Sequence, residues 1–305
     1  MEMLIKRENR PAISTNLGLL VLLAGSVLSA CNRDGALASR LPVSAGLQRL
    51  DSGGVTREYL LHISSTYDAG TAVPLLINIH GFSATAQQQA LLSGMSGKSD
   101  NEGFIVVYPQ ALGDPPTWRV GPLGGGDEDL AFIVDLIDHM QAGYNIDPRR
   151  IYATGISNGG GMVNRLGCEL ADRVAAIGPV SGAYLFDEDC SPARPVPVVA
   201  FHGTADQLVP YEGKGISLPP IEVWAGDWAR RNGCSAESTV SYQQGEVSGQ
   251  TWGACRDQAD VVLYTIQDGG HTWPGVGALP GLEGATKDII ATDVMWVFFM
   301  DHPKP

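Results

Sequence analysis

A serine flanked two residues on each side by glycine, Gly155-Ile156-Ser157-Asn158-Gly159, lies at the junction of two contrasting segments. Residues 150–154 before it are β-rich, and residues 159–170 after it have helical tendency. A strand that turns directly into a helix leaves no room for side chains two positions either side of the turn residue, so glycine stands there. The junction also sets the free amides of a helix N-terminus beside the serine hydroxyl. In a chain with 38 glycines the pattern alone says little. Between a strand and a helix it points to a serine presented for nucleophilic attack, with a plain glycine-rich turn as the alternative.

Around this junction the chain alternates between β-rich and helical segments. Residues 74–79, 104–108, 150–154, 174–180, 196–201 and 261–267 read as strands, with 56–63 as an edge strand. Residues 85–101, 128–144, 159–170, 221–232 and 287–302 read as helices. Alternation of this kind predicts an α/β fold, a mostly parallel sheet with helices on both faces. No repeat, low-complexity tract or linker divides the body, so residues 49–305 are expected to form a single catalytic domain. A 44% hydrophobic, 17% charged composition excludes a disordered chain. The net charge of −13 speaks against nucleic acid as a partner.

The first thirty residues look like an address. Lys6, Arg7 and Arg10 precede an apolar stretch, residues 17–28, which is too short to anchor in a membrane and ends in Leu28-Ser29-Ala30-Cys31. Residues 1–30 are therefore expected to be a signal peptide. The Leu-Ser-Ala-Cys quartet resembles a bacterial lipoprotein box, which implies cleavage before Cys31, lipidation of its thiol and a membrane contact through that lipid alone. Asn32 at the next position favours an outer-membrane or cell-surface location by the same resemblance. Simple secretion or a periplasmic location is the alternative. Residues 31–48 are then the lipidated cysteine and a flexible tether. Four cysteines remain, an even number that in an exported chain points to disulfides. Local pairing gives Cys168 with Cys190 and Cys234 with Cys255, each bridging an excursion of about 20 residues. Zinc competes, but the chain has no Cys-x-x-Cys pair.

A nucleophilic serine needs a base and an acid that orients it, and after a strand–serine–helix junction these follow in the order acid, then histidine. His271, in a glycine-rich loop just past residue 267, is the expected base; His302, in the terminal tail, is the weaker choice. Asp206, just past the strand at 196–201, is the expected acid, with Asp268 as the rival. His202 is expected to brace the loop that carries Asp206. An oxyanion hole needs two amides, and Asn158 and Phe82 are the candidates, with Ser83 as second choice to Phe82. His80 is expected to be structural. Asp127-Glu128-Asp129 reads as a helix cap rather than a metal site. Trp118 and Trp273 are candidates for stacking on a bound ester, or else pack their own domain. The reading needs no cofactor.

Three segments carry a resemblance. Gly155-Ile156-Ser157-Asn158-Gly159-Gly160 together with the stretch from Cys168 to Ala176 is similar to the polyhydroxybutyrate depolymerase/feruloyl esterase family of α/β-hydrolases. So are His202-Gly203-Thr204-Ala205-Asp206 with the residues to Gly213, and Gly270-His271-Thr272-Trp273-Pro274-Gly275. The resemblance covers roughly residues 50–302. It implies an exported serine carboxylic-ester hydrolase working through an acyl-enzyme on Ser157, with Asp206 and His271 completing the triad. Its expected substrates are aromatic, short-chain or hydroxyalkanoate esters. A serine peptidase with the same triad and a non-catalytic surface lipoprotein that binds a ligand are the alternatives.

Overall fold

The computed structural model describes residues 46–121, 127–185, 190–215, 217–276 and 285–305. The proposed signal peptide, Cys31 and most of the tether lie outside them. Ten strands among the described residues are β1 (Leu47–Ser52), β2 (Val55–Ile63), β3 (Val73–Ile79), β4 (Ile105–Pro109), β5 (Ile146–Ile156), β6 (Ala176–Val180), β7 (Val198–Gly203), β8 (Thr239–Gln244), β9 (Val247–Trp252) and β10 (Val261–Ile266). The helices are α1 (Ala86–Ser93), α2 (Met95–Glu102), α3 (Glu128–Gly143), α4 (Asn158–Glu169), α5 (Ile221–Asn232) and α6 (Ala291–Asp301). The strands join in one sheet, in the order β1-β2-β4-β3-β5-β6-β7-β10-β9-β8.

Six central strands, β4 to β10 in that order, run parallel, and an antiparallel pair extends each side. Burial explains the division. Every residue of β3, β4, β6 and β7 is buried, as strands covered on both faces require, whereas β1 and β8 are largely exposed. Side chains of α3, α4 and α5 join one core with Leu75, Ile77 and Ile177. On the other face α6 stacks Phe299 on Tyr152 at 4.7 Å and Trp296 on Phe104 at 3.8 Å.

Several boundaries differ from the sequence reading. The helix expected over 85–101 is two helices. Thr85 starts α1 with a capping box to Gln88, and Gly94, at φ 63°, ends it because only glycine takes that backbone turn freely. Strand β1 begins at Leu47, so the domain starts inside the expected tether. The described residues from Gly46 to Pro305 form one compact unit. Strands β8 and β9 were not expected at all. The acidic run 127–129 is not a hydrogen-bonded cap, since Asp127 makes no such bond to the helix. Asp129 instead pairs with buried Arg57 at 2.8 Å, Asp127 pairs with Arg165 at 2.8 Å, and Glu128 pairs with Arg119.

The order reversal between β3 and β5 positions everything that follows. Connections leave these neighbouring strands in opposite directions, which opens a crevice at their C-terminal ends. The turn after β3 and the turn after β5 meet there.

Candidate active site

Ser157 stands where β5 stops and α4 begins, at φ 59° and ψ −123°. A non-glycine residue pays strain for that conformation, and the surrounding contacts show why it persists. The Ser157 amide donates to the Val180 carbonyl at 3.0 Å, and its own carbonyl accepts from Gly161 and Ala183. A Cβ at Gly155 would sit 2.6 Å from the Ile79 carbonyl, and one at Gly159 would collide with the carbonyls of Ile79 and His80. The two glycines are therefore required by the packing of this turn against the end of β3. Gly81 packs against the turn from the other side, less tightly, where a Cβ would lie 3.3 Å from Ser157 Cβ.

Asp206 and His271 come from adjacent strands. β7 and β10 pair in parallel, and the loops beyond them continue the pairing: Thr204 donates to the Ile266 carbonyl at 2.9 Å and Ala205 to the Gly269 carbonyl at 2.9 Å. Across this zipper His271 Nδ1 lies 2.7 Å from Asp206 Oδ2. The other carboxylate oxygen accepts from the amides of Leu208 at 2.9 Å and Val209 at 2.8 Å. Burial pushes the Asp206 carboxyl up, but hydrogen bonds from His202, His271 and the Val209 amide outweigh it and hold the group far below the usual carboxylate range. His202 Nε2 donates to the Val209 carbonyl at 2.8 Å and stands 3.4 Å from Asp206 Oδ2, the bracing role expected of it. Asp268, the rival acid, has φ 55°; its amide is held by the Thr204 hydroxyl and its carboxylate accepts from Gln267. It shapes the turn and does not reach His271.

Among the described residues Ser157 Oγ has no hydrogen-bond partner, and catalytic contacts of this kind commonly close only around a substrate. The nucleophile and base loops are joined instead through β6: Val180 holds the Ser157 amide, and Ser181 Oγ lies 3.5 Å from the Thr272 carbonyl.

The two amide candidates differ in how they are freed. Asn158 is the first residue of α4, so its amide has no acceptor within the helix. Its side chain fixes the neighbouring loop, accepting from the Trp118 amide at 2.8 Å and donating to the Trp118 carbonyl at 3.0 Å. The Ser83 amide is taken by the Pro116 carbonyl at 2.9 Å, which leaves Phe82 as the free donor on that turn. His80 is buried and structural. Its Nε2 accepts from the Ala111 amide at 3.0 Å, so Nδ1 carries the proton and donates to the Gly81 carbonyl at 2.7 Å. Burial lowers its pKa, and the Gly81 bond offsets this only in part, so the ring stays neutral.

Two expectations fall to burial. Trp118 is 2% exposed and donates through its indole to the His80 carbonyl; Trp273 is 1% exposed and donates to Thr292. Neither offers a face to a ligand. Both pack their own domain and hold loops of the site. Cys168 is bridged to Cys190 and Cys234 to Cys255, the expected pairing. Sequence reading passed over Arg57 and Arg119 and took Asp129 only as part of a helix cap; pairing of Arg57 with Asp129 across 72 positions of chain leaves no local signal.

Comparison with known proteins gives the family. Residues 58–209 match the family described as Esterase PHB depolymerase. Feruloyl esterase B of Piromyces equi is 32% identical over 229 residues, an alignment covering 70% of this chain and 42% of the relative. A bifunctional acetylxylan esterase/xylanase of Neocallimastix patriciarum is 28% identical over 217 residues, covering 70% of this chain and 31% of the relative. The chain thus spans less than half the length of these curated relatives. Among solved structures, an acetyl xylan esterase from Aspergillus awamori shares the fold, with a TM-score of 0.61 and 16% identity over 83% of this chain and 98% of that one. Because the matched span carries the Gly81 turn, the serine elbow and the Asp206 loop, and the shared fold extends beyond it, the chain belongs to the polyhydroxybutyrate depolymerase/feruloyl esterase family of α/β-hydrolases.

Proposed function

We propose that this protein is a serine carboxylic-ester hydrolase with Ser157, Asp206 and His271 as its triad. The observation that carries the reading is the 2.7 Å contact from His271 Nδ1 to buried Asp206, on the same sheet edge as a serine at φ 59°. His271 Nε2 takes the Ser157 proton as Oγ attacks the ester carbonyl. The Phe82 and Asn158 amides receive the oxyanion. The tetrahedral intermediate collapses, the bond to the alcohol breaks, and His271 returns the proton to the leaving oxygen. Water then loses a proton to His271, attacks the acyl-enzyme and releases the acid with Ser157 restored. Aromatic and short-chain esters are the proposed substrates, supported by the names of the feruloyl and acetylxylan esterase relatives.

Ser157→Ala is expected to cut turnover of p-nitrophenyl acetate and methyl ferulate by about 10⁴-fold or more while leaving the circular dichroism spectrum unchanged. Activity above a tenth of wild type would reject the nucleophile. Disulfides favour a compartment outside the cytoplasm, and the Leu-Ser-Ala-Cys quartet supports a lipid on Cys31. Cys31→Ser is expected to move the protein from the detergent phase to the aqueous phase of a detergent partition; a wild type found wholly in the aqueous phase defeats the anchor.

A further inference from the structure

We propose that Asn158, through its side chain, positions both oxyanion donors: it closes a hydrogen-bonded ring that fixes the Phe82 amide relative to its own, without touching the substrate. This builds on the reading above of Ser157 as nucleophile and of those two amides as the donors.

An oxyanion site works because its donors are aimed in advance at the place where charge develops, so they must hold still relative to each other. Here the two donors sit on separate turns, one after β3 and one after β5. A third segment, residues 116–118, ties them together. On the β3 side the Pro116 carbonyl accepts from the Ser83 amide at 2.9 Å, and the Trp118 indole donates to the His80 carbonyl at 3.0 Å. These two bonds straddle Gly81 and Phe82, so one segment holds the Phe82 amide from both ends. On the β5 side Asn158 Oδ1 accepts from the Trp118 amide at 2.8 Å, and Nδ2 donates to the Trp118 carbonyl at 3.0 Å. The side chain pairs with Trp118 as a second peptide unit would. The ring therefore runs from one donor, through residues 116–118, to the side chain of the residue whose amide is the other donor.

The chemistry at position 158 suits this task narrowly. Asparagine supplies one acceptor and two donors at a short reach. Leucine, of similar size, would leave the Trp118 amide and carbonyl without partners, and aspartate would set a carboxylate against that carbonyl. The fold does not hang on these bonds. Arg119, the next residue, is fastened separately: its amide donates to Asp129 Oδ2 at 2.9 Å and its carbonyl accepts from Arg165 Nη1 at 3.0 Å. Truncating Asn158 thus loosens the ring while the segment stays attached. Alanine also suits the first residue of α4 and retains the backbone donor.

The experiment measures p-nitrophenyl acetate hydrolysis and inhibition by butaneboronic acid in wild type, Asn158→Ala, Trp118→Phe and the double variant. Ser157 Oγ shares an electron pair with boron and its proton passes to His271, giving a tetrahedral boronate with an oxygen at the oxyanion position. In Asn158→Ala, kcat is expected to fall about 30-fold, less than the roughly 10²–10³ lost when an oxyanion donor is removed outright. KM stays within about twofold, and the Ki of the boronic acid rises by about the same factor as kcat falls. Trp118→Phe keeps the ring packing but loses the bond to His80, and is expected to change kcat and Ki about tenfold. Either change opens the same ring, so the double variant falls within about twofold of Asn158→Ala. A lower kcat with an unchanged Ki means only less folded enzyme and overturns the positioning role. A raised KM at unchanged kcat, which marks a substrate contact, overturns it too, as do losses that multiply in the double variant. A wild type that hydrolyses the ester but is not inhibited by the boronic acid overturns instead the serine and oxyanion reading beneath it.

Discussion

Both oxygens of Asp206 are occupied, Oδ2 by His271 and Oδ1 by the Leu208 and Val209 amides. Removing one charge there leaves donors without their acceptor. Asp206→Asn is expected to keep the fold and lose about 10⁴ in turnover, because the amide holds the imidazole in the wrong tautomer. Asp268→Asn, whose parent only braces a turn, is expected to lose less than tenfold. Kinetics of both variants on p-nitrophenyl acetate decide between the acids. The sign of the pH dependence follows from the depressed Asp206 pKa. Its stabilisation is complete above the unfolded carboxyl value of about 3.9 and disappears only as pH falls below it, towards the folded value. Urea midpoints of wild type and Asp206→Asn are therefore expected to differ by a constant amount from pH 5 to 8 and to converge under about pH 4. Convergence between pH 5 and 7 would mean that the carboxyl is not held low.

At the scale of elements, the start of α3 is fastened to β2 by one buried ion pair. Arg57 Nη2 meets Asp129 Oδ1 at 2.8 Å, the guanidinium lies 4.1 Å from the Phe132 ring centroid, and Asp129 Oδ2 also accepts the Arg119 amide. Asp129→Ala strands a buried charge and is expected to cost about 3–5 kcal/mol, read by denaturant unfolding. A loss below 1 kcal/mol would show that Arg57 finds water instead. This pair also marks where sequence reading stops. β3, β4, β6 and β7 were legible because strands buried on both faces are apolar throughout. The proposed triad could be put forward from sequence because each member follows a strand that could be placed. β8 was not legible, since its alternation is confined to Val240 and Tyr242 and nearly all of its residues are exposed. Gly94 was passed over inside a polar run. Trp118 and Trp273 were visible as residues, but their burial depends on partners such as His80 and Thr292, far off in the chain.

For the whole molecule, the two disulfides are neighbours through α5. One joins Cys168 at the end of α4 to Cys190, and the other joins Cys234, just past α5, to Cys255 beyond β9. Arg231, near the end of α5, donates from its side chain to the Cys190 carbonyl at 3.0 Å, and its backbone carbonyl accepts from Arg256, the residue after Cys255, at 2.6 Å. The bridges close sequence separations of 22 and 21 residues that do not overlap. In the chain-entropy picture each contributes about 3 kcal/mol, and because the loops are separate their effects on the unfolded chain add. The folded state behaves otherwise. Losing either bridge frees one side of the Arg231 contact set, and the other bridge then holds a segment already loosened. Removing both by paired Cys→Ala changes is therefore expected to cost less than the sum of the separate losses, by about 0.5–1.5 kcal/mol. Arg231→Ala, introduced into all four backgrounds, is expected to abolish that shortfall, since the coupling runs through its side chain and not through chain entropy. Denaturant unfolding of the eight proteins measures it, and additivity within about 0.3 kcal/mol before Arg231 is touched would refute the coupling.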